Sequence, residues 1–397
     1  MNGFCFYCPT RVFFGKTIEE SIGKHILELN PETHNVMVVH YENEVSALQK
    51  RVNSVKYAIE KSGMSVVDFD GARPNPVLSS VRDGIICCKE HKVDFIVAVG
   101  GGSAIDTAKA ISLGAANLDE DVWEFFLKTK VPKNRIPVAA FVTTAAAGSE
   151  MSNSCVLTNE DGHIKRGLGL DINRPVAAFM NPEVLFTVPK YQTACGVCDI
   201  LMHTLERYFT PENDNELTEG FAEALLKDVI KNGRLLYENS EDYQAASEIL
   251  WCGSVSHNGM TGFGVTEDWA THQMGHELSG KYNKAHGATI TAMWGHWARY
   301  VYRDNPGKFK KYAVRVWNLA PEGDEKEIAL KGIVCTEHFF SELGMPASIP
   351  ELIGRSLTED EINDMGEKCT FFGKRTIGSF KVLGLDEIRE IYSDANK

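Results

Sequence analysis

Three histidines, His272, His276 and His286, fall within the stretch DWATHQMGHELSGKYNKAH at 268–286, and His296 follows ten residues on. Four of the chain's twelve histidines thus lie in one short segment. His272 and His276 are four apart, so a helix would put them on one face. Neutral imidazole is a common ligand for zinc and iron, and a metal would gather such a set. Asp199 and His203, in CDILMHTLERYF, are also four apart on an apparently helical segment. Together the two segments offer a carboxylate and three or four imidazoles, a donor set suited to Fe²⁺ or Zn²⁺. Either pair alone would be an ordinary solvated helix face. Two such pairs plus His286, all outside the half that carries the glycine-rich turn, point to a site.

The second chemical feature is VDFIVAVGGGSAIDTAKA, which joins a strand to a helix through Gly100-Gly101-Gly102-Ser103. Glycines allow close approach to a pyrophosphate, and the helix N-terminus offers unpaired N–H groups and a positive dipole end. The third position of the common dinucleotide fingerprint is Ile105 rather than glycine, and no Gly-Lys-Ser/Thr follows, so neither that fingerprint nor a P-loop is matched. A second hydroxyl-rich turn, TTAAAGSEMSNS at 143–154, follows the next strand. Two such loops at adjacent strand ends fit a phosphate-binding rim.

These residues need a frame to hold them. VMVVHY (36–41), SVVDFD (65–70), FIVAVGGG (95–102) and IPVAAFVTT (136–144) read as buried strands. Between them lie a helix over 44–62 closed by Gly63, a turn at Pro74-Asn75-Pro76 with a helix to about Lys89, and the helix AIDTAKAISLGA. This alternation predicts a parallel sheet with helices on both faces. From Tyr191 onward the pattern is helical, with long stretches at 217–236, 241–260 and 324–343. The expected division is therefore an α/β domain over 1–188 and an all-α domain over 189–397.

The length of 397 residues supports two or three domains. A net charge of −13 argues against nucleic acid or an anionic membrane as the main partner. No run of about 18 apolar residues predicts a membrane span. The N-terminus has no basic segment leading into an apolar one, so a cytoplasmic protein with free thiols is expected. Two CxxC pairs, Cys5–Cys8 and Cys195–Cys198, are too far apart for a zinc ribbon and read as reduced cysteines.

At this point the motifs resemble a known family, the iron-containing (group III) alcohol dehydrogenases, and within it the NAD(P)H-dependent butanol dehydrogenase branch. The resemblance spans nearly the whole chain: PTRVFFGK, PNP at 74–76, GGGSAIDTAKAI at 100–111, TTAAAGSEMS at 143–152, NPEVLFTVP at 181–189, DILMHTLERY, THQMGHELSGKYNKAHG and the ending IGSFKVLGLDEIREIYSDA. It implies a dehydroquinate synthase-like fold, in which an α/β dinucleotide-binding domain and a helical domain enclose the active site, and a homodimer. Carried over by position, the metal ligands are Asp199, His203, His272 and His286. His276 matches a further histidine near the site, and His257 and His296 match no ligand position. The cofactor contacts fall on Gly101, Gly102, Ser103, Asp106, Thr143, Thr144, Ser149 and Lys165.

Some positions depart from the family pattern. Ala147 stands where a threonine is common, and Asn181 replaces a common aspartate. After the second strand the chain reads His40-Tyr41-Glu42-Asn43-Glu44, with two acids and no Lys or Arg to pair a 2′-phosphate. NAD(H) is accordingly favoured over NADP(H). The implied reaction is hydride transfer between nicotinamide and a primary alcohol or aldehyde, with His276 as a candidate proton relay. Three rivals stand at this level: a glycerol-dehydrogenase-like polyol enzyme, a metallohydrolase that binds no dinucleotide, and a non-catalytic binding protein that has kept the fold, against which the four intact ligand positions argue. Trp251, Phe263 and Trp269 are candidates for the substrate pocket.

Overall fold

The computed structural model describes residues 1–42, 46–212 and 215–397. The first part of the chain alternates strand and helix: β1 (Arg11–Phe14), α1 (Ile22–Leu29), β2 (Asn35–Tyr41), α2 (Ser46–Lys61), β3 (Ser65–Ala72), α3 (Leu78–Glu90), β4 (Phe95–Gly100), α4 (Gly102–Ala116), α5 (Val122–Phe126) and β5 (Val138–Val142). It continues through β6 (Ser154–Asn159), β7 (Ile164–Gly169) and β8 (Ala177–Met180). Six strands form a parallel sheet in the order β1-β8-β5-β4-β2-β3, and β6 and β7 form a separate antiparallel hairpin. The continuous apolar runs of β2, β4 and β5 are buried, as expected of strands covered on both faces. Their side chains join Ile22 and Ile26 of α1 and Val52, Val55 and Ile59 of α2 in one core.

The later part is helical: α6 (Lys190–Tyr208), α7 (Glu216–Glu238), α8 (Tyr243–His257), α9 (Ala270–Tyr282), α10 (His286–Val301), α11 (Pro306–Arg315), α12 (Glu325–Glu342), α13 (Ile349–Ile353), α14 (Glu359–Cys369) and α15 (Leu385–Ala395). The chain separates into two compact units. One comprises Tyr7–Val188 with Ser240–Asn258, and the other Met1–Phe6, Pro189–Asn239 and Gly259–Lys397. Thus α8 belongs with the sheet unit, and the first six residues belong with the helical unit. Pro189 stands just before α6 at its N-cap position. No helix of the described residues is long and apolar enough to cross a membrane.

One departure from the family pattern has a local physical reason. Asn181 follows β8 and is fully buried. Its Oδ1 accepts the Glu183 N–H, and its Nδ2 donates to both oxygens of buried Glu19, at 3.1 and 3.4 Å. Glu19 is also paired with Arg51. An aspartate at 181 would remove the donor and set a second carboxylate against Glu19. Asn181→Asp is therefore expected to lower stability by on the order of 2–3 kcal/mol, read as a lower urea midpoint at neutral pH.

Candidate metal centre and dinucleotide turn

The metal-binding candidates meet on three helices of one unit. Helix α6 presents Asp199, His203 and Glu206 at positions i, i+4 and i+7, hence on one face. Helix α9 starts at Ala270, so His272 lies in its first turn; Asp268 accepts the Ala270 N–H at 3.0 Å, and Trp269 turns the chain with φ 62°. Gly280 lies within this helix and does not interrupt it. The break comes at Asn283, left-handed at φ 50°, after which α10 begins at His286. Asparagine tolerates that conformation, which is why the helix stops there and returns His286 to the cluster.

Asp199 Oδ1 stands 3.8 Å from Nε2 of each of His203, His272 and His286. The His203 and His272 rings stack with centroids 4.7 Å apart. Asp199, His203 and His272 are buried, and His286 is partly exposed. Buried Asp199 Oδ1 and His272 Nε2 have no hydrogen-bond partner, a costly state for polar atoms out of water. Four donors bound tetrahedrally at about 2.1 Å lie about 3.4 Å apart, so a small contraction would bring this set onto one divalent ion. The residues fit a metal in both chemistry and spacing. Burial alone would lower the His272 pKa, but the Asp199 and Glu206 carboxylates outweigh it and raise the value to about 9. The same negative surroundings favour a bound cation.

The other histidines divide cleanly. The His276 ring stacks on His286 with centroids 5.0 Å apart and lies 6.4 Å from His272. His296 is held by Asp394 at 2.8 Å and by the Ala347 carbonyl at 3.1 Å, and His257 lies on α8. Of the pocket candidates, Trp269 stands edge-on to His203 and His272 and packs under the Arg207 guanidinium. Phe263 instead contacts Phe4 and Phe6, and Trp251 is 41% exposed on α8. Cys195 and Cys198 are buried, and burial pushes the Cys195 thiol up to about 11. None of the ten cysteines, all among the described residues, forms a disulfide.

Sequence reasoning passed over Glu206, although its i+3 spacing from His203 was visible. Its Oε1 accepts both the backbone N–H of His272, at 3.0 Å, and its ring Nδ1, at 2.9 Å.

In the sheet unit, β4 ends at Gly100, Gly101 is extended, and α4 begins at Gly102. The Thr143 N–H donates to the Gly100 carbonyl at 3.1 Å, which sets the loop after β5 beside the glycine turn. A Cβ on Gly101 would touch Thr144, and one on Gly102 would come to 3.9 Å from Ala147. The turn thus leaves Gly101, Gly102, Ser103, Thr143 and Thr144 together. Asp106 and Ser149 are tied into a buried latch: Ser149 Oγ donates to Asp106 Oδ1 at 2.6 Å, and the Val156 N–H donates to Oδ2 at 2.9 Å. Buried Lys109 donates to the carbonyls of Ser149, Ser152 and Ser154 and to Ser149 Oγ. Burial raises the Asp106 pKa, with Lys109 opposing the shift. Lys165, on β7, donates to Asn75 Oδ1 at 3.1 Å.

At the end of β2, the Tyr41 ring lies 3.0 Å from where a Cβ on Gly100 would sit. His40 is buried and bonded to Asp68 at 2.8 Å. Glu42 pairs with Arg73 at 3.1 Å. The expected absence of a cation here therefore holds only along the segment itself, because the loop after β3 supplies Arg73. Asn43 and Glu44 lie outside the described residues.

Known proteins place these observations. The family model for iron-containing alcohol dehydrogenases matches residues 9–182, and the model for the C-terminal region of that family matches 193–396. The NADH-dependent butanol dehydrogenase A of Clostridium acetobutylicum is 32% identical over 395 residues, 99% of each chain. The NADPH-dependent aldehyde reductase YqhD of Escherichia coli is 31% identical over 407 residues, 100% of each. The crystal structure of NADH-dependent butanol dehydrogenase A from Thermotoga maritima superposes with a TM-score of 0.93 at 30% identity, covering 100% of this chain and 99% of that one.

Proposed function

This chain belongs to the iron-containing alcohol dehydrogenase family, and on that premise we propose which residues carry its NAD(P)-dependent alcohol dehydrogenase and aldehyde reductase activity and on what substrates. The metal set is Asp199, His203, His272 and His286. The observation that carries it is the convergence of three imidazole Nε2 atoms, each 3.8 Å from one unpartnered carboxylate oxygen. A bound divalent metal supplies Lewis acidity to the substrate oxygen, and the nicotinamide supplies or accepts the hydride.

The chain's own residues orient and shield. Trp269 closes one side of the histidine cluster and restricts what can stand beside His203 and His272. His276, which lies against His286, passes a proton between the substrate oxygen and water; its stacking beside the cluster supports this role. The backbone of Gly101, Gly102 and Ser103 receives the pyrophosphate at the start of α4, with Thr143 and Thr144 beside it. Asp106, Ser149 and Lys165 hold the surrounding loop and hairpin. The preferred cofactor is NAD(H): Glu42 neutralises Arg73 and repels a 2′-phosphate. Linear primary alcohols and their aldehydes are the substrate class, iron or zinc the metal, and a homodimer the assembly. Ten cysteines without a disulfide among them support a cytoplasmic setting.

The test is NADH and NADPH oxidation with butanal on metal-stripped protein, before and after Fe²⁺ or Zn²⁺. Activity that returns with metal, and is greater with NADH, is the expected result. Glycerol oxidation without butanal reduction would move the substrate class to polyols. Full activity in stripped protein would overturn the metal set.

A further inference from the structure

We infer that Glu206 is a positioning residue: it fixes the tautomer and the orientation of His272, so that Nε2 is presented to the metal. The inference rests on the metal set proposed above. The geometry is closed and local. One carboxylate oxygen, Glu206 Oε1, receives the His272 backbone N–H at 3.0 Å and the His272 ring Nδ1 at 2.9 Å. An ionised carboxylate can only accept, so Nδ1 must carry the proton. In the neutral ring that a metal requires, Nε2 is then the nitrogen with the free lone pair, and it is the one that faces Asp199 Oδ1 at 3.8 Å.

Holding main chain and ring through one atom also restricts both side-chain torsions of His272. The Glu206 carbonyl accepts the Asp268 N–H at 2.9 Å, so the same residue pins the approach to α9. Its neighbour Arg207 adds a second grip, donating to Glu267 at 2.8 Å and to the His203 carbonyl at 2.9 Å. Glu206 is 3% exposed, so water does not compete for these bonds. A carboxylate behind a ligating imidazole raises its basicity as well as aiming it, and loss of such a partner typically weakens metal affinity roughly 10- to 100-fold.

Two variants separate aim from charge. Glu206→Gln keeps an oxygen that can accept both bonds but removes the charge. Glu206→Leu removes the acceptor and keeps most of the volume. With Zn²⁺ as the probe, measured by chelator competition, the Leu variant is expected to bind roughly 10- to 100-fold more weakly, and the Gln variant to recover most of that loss, to within roughly 5-fold of the parent. Histidine-selective ¹⁵N spectra of the Zn²⁺-loaded parent should show His272 protonated at Nδ1 and shifted at Nε2, a signature that a merely structural glutamate would not set. This spectrum needs no mutant, so it decides the matter even where Glu206→Leu does not fold. His272 coordinated through Nδ1, or a folded Leu variant with parental Zn²⁺ affinity, would overturn the inference. A parent protein that binds no Zn²⁺ would instead overturn the metal set itself.

Discussion

His272→Ala is expected to empty the metal site and to lower kcat for butanal reduction at least about 1,000-fold. The reason is the position of His272 within the cluster. It is the buried member of the proposed ligand set whose Nε2 is unpartnered, and it stands between His203, stacked at 4.7 Å, and His286, with ring centroids 5.3 Å away. Removing it leaves three donors on α6 and α10 and opens a gap on the α9 side that water can enter. It also leaves Glu206 with only the backbone N–H of residue 272 from the two donors it had. His276→Ala is the comparison that gives this result meaning. That ring stacks on His286 and is not one of the four proposed donors, so its loss should leave bound metal stoichiometric and reduce turnover by about 100-fold or more, as loss of a general acid–base does. Elemental analysis of both purified variants, beside NADH oxidation rates, separates the two roles. Stoichiometric metal in His272→Ala would remove that residue from the ligand set.

The fold class and the residues that cluster around Asp199 were legible in the sequence because each rests on a local pattern. Continuous apolar runs mark β2, β4 and β5, and i,i+4 spacing marks Asp199 with His203. What was not legible depends on contacts distant in sequence. β8 is four residues long, AAFM, yet it lies between β1 and β5 in the sheet; so short a segment has no periodicity to read. The β6–β7 hairpin was unmarked because Gly167 and Gly169 dilute its second strand. Arg73 reaches Glu42 from the end of the neighbouring strand β3, so a reading confined to residues 40–44 could not see it. Asp106 and Ser149 read as cofactor contacts, and the 43 residues between them conceal the hydrogen bond that also joins them. Ser240–Asn258 looked like one more helix of the second half, and its apolar pattern carries no record of which unit it packs on.

Gly287→Ala is expected to be destabilising and to weaken metal binding, although helix propensity argues the other way. Gly287 is the second residue of α10 and has an ordinary helical backbone. On propensity alone, alanine inside a helix would add up to about 1 kcal/mol of stability. The obstacle is a neighbouring main chain. A Cβ at 287 would lie 2.2 Å from the Cys195 carbonyl oxygen and 2.7 Å from its Cα and carbonyl carbon. These are backbone atoms of α6, so no rotamer change can relieve the clash, and the helices must separate by about 1 Å to restore van der Waals contact. The consequence falls on chemistry because of what flanks the contact. His286 is the adjacent residue on α10, and Asp199 lies one turn beyond Cys195 on α6. Metal–ligand distances tolerate about 0.2 Å, so a displacement of about 1 Å between these two proposed ligands should cost roughly 100-fold in Zn²⁺ affinity. Overpacking should also lower stability by about 1–3 kcal/mol. Thermal unfolding of the metal-free protein and chelator competition read the two effects separately. A Gly287→Ala protein with a higher Tm and parental Zn²⁺ affinity would mean that propensity governs this position and that α6 and α10 do not meet there. A lower Tm with weakened affinity would identify the glycine as the element that sets the Asp199–His286 spacing.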